Sequence, residues 1–290
     1  MISFTIRLAC CLRIFFIDIF EKRISISVIN YFYVKLKNFI MDLKFITCSG
    51  ANEYTDADAL FALYAQFSCI EFGIQVSGKK CSENSPRLAW LRNLHKKILE
   101  HRVNLPLALH LNQDWVCGFY QDDISPELHE LLSYSNSAGE PLFQRVQLNF
   151  KIGREIAPQI DMLEKQMRKF PQVRFILSYN ASNAEVITEL YQRHNVVFDC
   201  LFDESFGEGI LPEKRHAPVF PDVIQGYAGG LSPENVSQEL SKIALVQPMS
   251  ASVFIDAEGK LKGEDRHFSY SKAHDFVANA LLWQKNNLRV

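Results

Sequence analysis

The chain has 290 residues, of which 48% are hydrophobic and 22% are charged, as expected for a globular protein with a full core. A formal net charge of −2 gives no basic surface, so we expect no nucleic-acid partner. Seven cysteines without Cys-x-x-Cys spacing argue against a disulfide scaffold and predict a reducing, cytoplasmic setting. The histidines show no paired spacing, so we expect no metal site.

The first 40 residues differ in composition from the rest. They hold nine Ile and six Phe but no Gly or Pro, with six basic and two acidic groups. The apolar run at 8–20 contains Arg13 and Asp18 and is shorter than the roughly 20 residues that span a bilayer. Three readings stay open: a segment on a membrane surface, an added structural or targeting element, or a start codon assigned too early, with Met41 as the true start. We expect no membrane partner.

From Met41 onward, short apolar runs alternate with segments of helical periodicity. Strands are predicted at 43–48, 69–76, 105–111, 145–150, 173–179, 196–203 and 222–229, with a last strand within 244–254. Helices are predicted at 56–67, 86–101, 125–134, 156–170, 182–194, 232–243 and 270–284.

Eight strands, nearly all followed by a helix, predict parallel βαβ units. In about 250 residues they favour a single α/β domain over 41–290, closed as a (β/α)8 barrel, with 1–40 as an extension. The alternative is an open doubly wound sheet, which would place a glycine-rich turn after its first strand. The segment at 47–52, TCSGAN, does not supply that turn.

In such a barrel the chemistry lies where the strands end, at their carboxyl termini. Ser49, Ser85, Pro86 and Glu204 are predicted there. The candidate site residues predicted there are Cys48, Arg87, Gln147, Asn149, Asp203, Gly207, Gly209, Gly229, Gly230, Ser250 and Ser252.

The glycine pair is the clearest candidate for binding an anion. Gly229 and Gly230 leave backbone N–H groups open to approach, and Ser232 is expected to cap the helix that follows. Phosphate often binds after the seventh strand of a barrel, so we expect a phosphate here. The alternative is an ordinary packing turn.

Three further side chains have both a functional and a structural interpretation. Cys48 is either a small core residue or a general base. Asp203 is either a turn former or a general acid. Arg87 is either a surface arginine or a clamp for a carboxylate or phosphate.

Five segments in order resemble the phosphoribosylanthranilate isomerase family. They are ITCSG at 46–50, SPR at 85–87, VQLNF at 146–150, LFDESFGEG at 201–209 and, most specifically, GGLSPENV at 229–236. The resemblance extends from about residue 43 to the end of the chain and makes Met41 a natural start.

The resemblance implies an Amadori rearrangement in tryptophan biosynthesis. N-(5-phosphoribosyl)anthranilate would become 1-(2-carboxyphenylamino)-1-deoxyribulose 5-phosphate, with Cys48 as base and Asp203 as acid. Arg87 would hold the anthranilate carboxylate, and Gly229 and Gly230 the phosphate. No cofactor would be needed, the only partner would be this small substrate, and the protein would be a monomer or homodimer.

The sequence also departs from the family pattern. Ile46 replaces the family's Lys, Asn149 replaces a His, Glu208 adds an acid to the glycine loop, and the segment at 250–252 lacks a glycine. These departures keep two alternatives open: a barrel of this family with another phosphosugar substrate, or a non-catalytic phosphate-binding protein.

Overall fold

A computed structural model of the chain describes residues 41–150, 160–203, 208–247 and 251–288. Within them, eight parallel strands form a closed barrel in which each strand pairs with the next and β8 pairs with β1. The strands are β1 Asp42–Ser49, β2 Ile70–Val76, β3 Leu107–Leu111, β4 Arg145–Leu148, β5 Arg174–Tyr179, β6 Phe198–Phe202, β7 Gln225–Tyr227 and β8 Ser252–Ala257. The predicted (β/α)8 barrel is confirmed.

Helices surround the strands. They are α1 Ala57–Gln66, α2 Pro86–His101, α3 Asp114–Gln121, α4 Pro126–Ser133, α5 Ile160–Lys169, α6 Ala184–Arg193, α7 Val236–Val246 and α8 Tyr270–Leu288, with a 3-10 turn at Gly259–Leu261. Helix α3 was not predicted. In the part of the chain described, no helix is both long and apolar enough to cross a bilayer. The expectations for 1–40 and for 156–159 concern residues outside this part.

Local sequence explains where the helices begin. At α2, the Ser85 hydroxyl accepts a hydrogen bond from the Leu88 N–H at 3.2 Å, and Pro86 occupies the first turn, where no N–H is needed. The helix ends at His101, and the next residue, Arg102, has a left-handed φ of 54°. Segment 86–101 therefore forms the helix that its apolar spacing predicts.

Two expectations near the end of the chain are wrong. The apolar residues from Ala244 to Val246 continue helix α7, so β8 begins only at Ser252. Helix α7 begins after Asn235 rather than at Ser232, and Asn235 makes no side-chain cap. The carbonyl of Ser232 instead accepts from the Val236 N–H at 3.0 Å. Short apolar runs do not by themselves distinguish a helix end from a strand.

Alternate residues of each strand point into the barrel or toward the helices. On β2, Ile70, Phe72, Ile74 and Val76 belong to the large apolar core between the strands and the helix layer. Residues of the opposite parity face the lumen, where Glu71 meets side chains of other strands. This alternation decides which residue at a strand end can reach the mouth.

A buried ion-pair cluster fills the lower lumen. The Arg145 guanidinium pairs with Glu71 at 2.8 Å and with Asp199 at 3.0 Å. It also lies between the rings of Phe45 and Phe254, at 4.5 and 4.1 Å from their centroids. These contacts involve side chains of five strands, so Arg145 links the strands in the part of the lumen beneath the mouth.

Replacing Arg145 is therefore expected to destabilise the barrel strongly. Arg145→Met would leave Glu71 buried without its cation and Asp199 with Arg174 as its remaining one, at a cost of about 3–5 kcal/mol in the free energy of unfolding. Chemical denaturation measures this, with Arg168→Met as the control because that arginine side chain is 65% exposed. Equal stabilities of the two variants would contradict this assignment.

Candidate functional site

A polar cavity of about 660 Å³ opens at the carboxyl ends of the strands. Carboxamides, carboxylates and lysines make up most of its polar wall, together with one histidine. These are Gln75, Asn112, Gln147, Asn149, Asn180, Asp203, Glu208, Asp256, Glu258, Lys260, Lys262 and His110. A cavity of this size and polarity fits a small polar metabolite.

The structure brings together six of the residues predicted for the site. Gln147, Asn149, Asp203, Gly209, Gly229 and Gly230 all line the cavity. Gly207 and Ser250 lie outside the described residues. Cys48, Arg87 and Ser252 are described, but they do not line the cavity.

Cys48 lies behind the barrel wall. Its side chain is fully buried in the core between strands and helices, and burial raises the pKa of its thiol well above the usual value. Ser49, the next residue, faces the lumen and donates a hydrogen bond from Oγ to Asp256 Oδ1 at 2.6 Å. The structure therefore does not bring Cys48 and Asp203 together as an acid–base pair.

Arg87 is engaged within the protein. Its side chain is 10% exposed and forms an ion pair with Glu53. Its Nη1 also donates to the carbonyl oxygen of Gln75 at 2.7 Å. These bonds hold the start of helix α2 against the end of β2 and leave Arg87 outside the cavity wall.

Ser252 lies at the opposite end of its strand from the mouth. It is the first residue of β8 and pairs with Asp42, the first residue of β1. The residues that follow the carboxyl end of β8 are Glu258, Gly259 and Lys260, which line the cavity instead. The displaced strand assignment is the reason that the sequence analysis missed them.

The diglycine turn after β7 requires glycine at both positions. Gly229 and Gly230 have φ values of 82° and 66°, in the left-handed region. A Cβ at Gly230 would also lie 2.7 Å from the backbone nitrogen of Leu211. The Asn235 side chain supports the turn by donating to the Gly230 carbonyl at 2.9 Å and accepting from the Ser232 N–H at 2.8 Å.

A chain of carboxamides crosses the cavity wall. Gln147 Nε2 donates to Asn149 Oδ1 at 2.7 Å, and Asn149 Nδ2 donates to Asn112 Oδ1 at 3.1 Å. Asn112 in turn donates to the carbonyl of His110 at 3.0 Å. Side chains with both donors and acceptors, fixed in this way, suit the hydroxyl groups of a sugar.

Asp256 is the titratable group that the sequence analysis missed. Burial raises the pKa of its carboxyl to about 7, against the hydrogen bond from Ser49, which lowers it. The charges of Glu258, Glu71 and Asp203 raise this pKa further. The electrostatic effect of Asp203 on Asp256 indicates that two carboxyl groups share this mouth.

The remaining charges of the rim are partly paired. Glu258 accepts from Lys262 at 2.8 Å and also from Gln75. Lys260 lines the same cavity as the diglycine turn and has an exposed side chain. Within the described parts of the chain, no cluster of three or more His, Cys, Asp or Glu side chains is placed to hold a metal ion.

The described part of the chain is thus a (β/α)8 barrel with a polar cavity at the carboxyl ends of its strands. No family model matches the chain, and no curated protein matches it. Among solved structures, TrpF from Jonesia denitrificans is 15% identical, with 82% of this chain and 96% of that chain covered and a TM-score of 0.45. Phosphoribosyl anthranilate isomerase from Thermus thermophilus is 12% identical, with 82% and 98% covered and a TM-score of 0.48.

Thiamine phosphate pyrophosphorylase from Pyrococcus furiosus is also similar. It is 10% identical, with 88% of this chain and 100% of that chain covered and a TM-score of 0.43. At these identities and TM-scores, the likenesses carry no argument about activity.

Burial of Asp256 makes the stability of the protein depend on pH. Because its pKa is raised from 3.8 unfolded to about 7 folded, the folded state binds more protons between these values. This contribution to stability is fully present below about pH 4 and is lost as the pH rises through about 7. The free energy of unfolding therefore falls by about 4 kcal/mol between pH 4 and pH 8.

Urea denaturation at a series of pH values tests this dependence. Asp256→Asn should remove most of the decrease in unfolding free energy with rising pH. The control Glu213→Gln, at an exposed position, should show the same decrease as the parent. A parent and an Asp256→Asn variant with the same pH profile would contradict the burial of an ionisable group there.

Proposed function

We propose that this protein is an enzyme that rearranges a phosphorylated sugar by transferring protons. The reaction proposed first is the Amadori rearrangement that the family resemblance implies, with N-(5-phosphoribosyl)anthranilate as substrate. The observation that carries the proposal is that Asp203, Asp256 and the diglycine turn face one cavity.

The phosphate is proposed to bind at the turn of Gly229 and Gly230. Two successive glycines in the left-handed region leave the backbone open to close approach, and a backbone turn of this kind forms an anion-binding concavity. Lys260, on the loop after β8, supplies a cation to the same cavity. The sugar hydroxyls would then extend toward the carboxamides of Gln147, Asn149 and Asn112.

The chemistry requires one proton donor and one proton acceptor. Asp203 keeps the role of acid and protonates the ring oxygen as the bond from C1 to that oxygen breaks, while the nitrogen lone pair forms a C1=N bond. The Asp256 carboxylate then removes the C2 proton, which gives an enaminol. Asp256 returns this proton to C1, and the C2 hydroxyl gives its proton to Asp203, so that the aminoketose forms and both aspartates regain their starting states. Atoms and charge balance without a cofactor.

Asp256 replaces Cys48 as the proposed base for two reasons. Asp256 lines the cavity, whereas Cys48 lies in the core behind the wall. A carboxylate with a pKa of about 7 is a stronger proton acceptor than an ordinary one and is about half ionised at neutral pH.

A second candidate is the same chemistry on another phosphosugar. The ion pair of Arg87 with Glu53 favours it, because the arginine proposed to hold the anthranilate carboxylate already has a carboxylate partner. A non-catalytic phosphate-binding protein would use the diglycine turn but not the two aspartates. The cytoplasmic setting, the absence of nucleic-acid and membrane partners, and a monomeric or homodimeric state stay predictions.

Turnover by the full chain tests the reaction and its residues together. The loss of phosphoribosylanthranilate fluorescence should be fast in the parent and at least about 100-fold slower in Asp203→Asn and Asp256→Asn. Cys48→Ala should stay within about threefold, since it changes only core packing. A folded parent without turnover would contradict the first candidate reaction. A Cys48→Ala variant as slow as Asp256→Asn would contradict the assignment of Asp256 as the base.

The pH dependence of catalysis identifies the role of Asp256. Because a base must be ionised, kcat/KM should rise as the pH increases through about 7. Cys48→Ala should keep the same rise. A profile that instead falls above pH 7 would make Asp256 the acid and contradict the roles proposed here.

A further inference from the structure

His110 is a buried residue of the cavity wall. The residue lies on β3, is 2% exposed and lines the mouth. Its Nε2 has no hydrogen-bond partner among the residues that the structure describes. Since nearly all buried polar atoms are hydrogen-bonded, a buried nitrogen of this kind in a polar cavity points to a ligand.

Gly73 on β2 makes room for this side chain. A Cβ at Gly73 would lie 2.7 Å from His110 Cε1 and 2.9 Å from its Nε2, and it would also clash with Ser49 Oγ. Both side chains therefore occupy the space above Gly73. Ser49 donates to Asp256, so a single side chain, Ser49, lies between the surroundings of the imidazole and the proposed base.

The imidazole is neutral at physiological pH. Burial lowers the pKa of His110 to about 3, and the Arg145 guanidinium beneath it lowers the pKa further. A neutral imidazole offers one N–H donor and one acceptor and carries no charge that would attract the phosphate. It is suited to a hydroxyl or carbonyl oxygen, as neutral histidines are in other proton-transfer sites.

We propose that His110 Nε2 hydrogen-bonds the oxygen on C2 of the substrate, the atom that changes from hydroxyl to carbonyl. This rests on the proposed function and adds to it a residue that recognises the substrate. The rearrangement itself needs an oxygen on C2, and the contact with His110 would in addition make a 2-deoxy sugar phosphate bind weakly. His110 would contact the substrate directly, beside the base that removes the C2 proton.

Two sugar phosphates that differ by one oxygen test this assignment. Isothermal titration of the full chain with D-ribose 5-phosphate and 2-deoxy-D-ribose 5-phosphate should show about a tenfold preference for the first. His110→Phe should abolish the preference by weakening only ribose 5-phosphate, and His110→Gln, which retains a donor, should keep part of it. His95→Phe is the control, because that ring lies against Tyr134 and Ser135.

A spectroscopic measurement on the unmutated protein accompanies the titration. In protein with ¹⁵N-labelled histidine, the His110 Nε2 resonance should move on addition of ribose 5-phosphate and much less with the 2-deoxy analogue. The assignment would be overturned by any of three results. The parent could bind both sugar phosphates equally, the preference could survive in folded His110→Phe, or the Nε2 resonance could stay unchanged with both ligands.

The outcomes separate this inference from the proposed function. If the parent turns over the substrate but His110→Phe keeps the preference for ribose 5-phosphate, only the role of His110 is removed. No binding of either sugar phosphate, together with no turnover, would remove both proposals.

Discussion

The closed barrel forces each strand to present alternate side chains to the lumen and to the helices. Because the sheet has no free edge, no strand can shift by one residue without exchanging its entire set of inward and outward side chains. On β1 this places Thr47 and Ser49 in the lumen and Cys48 in the outer core. The identity of the residue that reaches the mouth follows from this geometry.

The lumen has two layers of different character. Its floor holds Arg145 between two aromatic rings and two carboxylates, and Thr47 and Arg174 give these carboxylates further partners. Above it lie His110 and Asp256, both almost withdrawn from water but open to the cavity. Burial and the charge of Arg145 lower the pKa of His110, whereas burial and neighbouring carboxylates raise the pKa of Asp256.

The groups that line the mouth are of three chemical kinds. The diglycine turn and Lys260 form the side of the cavity that suits an anion, and the carboxamides form a neutral wall of donors and acceptors. In the proposed reaction, the two aspartates exchange protons with the substrate. Binding of a phosphate at one side would position the rest of a sugar over the titratable groups, which is how remote binding supports chemistry at a reacting carbon.

The sequence by itself determined the barrel, because eight apolar runs alternate with helical periodicity at the spacing that parallel βαβ units need. It also indicated the diglycine turn, Asp203, Gln147 and Asn149, since each follows a recognisable strand. Tertiary structure decided that Ser49 rather than Cys48 faces inward. It also decided that Asp256 rather than Ser252 lies at the mouth end of β8. Periodicity was ambiguous at 244–254, and a strand placed too early moves its mouth residues to the wrong end. The engagement of Arg87 by Glu53 and the space above Gly73 arise from contacts between distant segments, which no local pattern records.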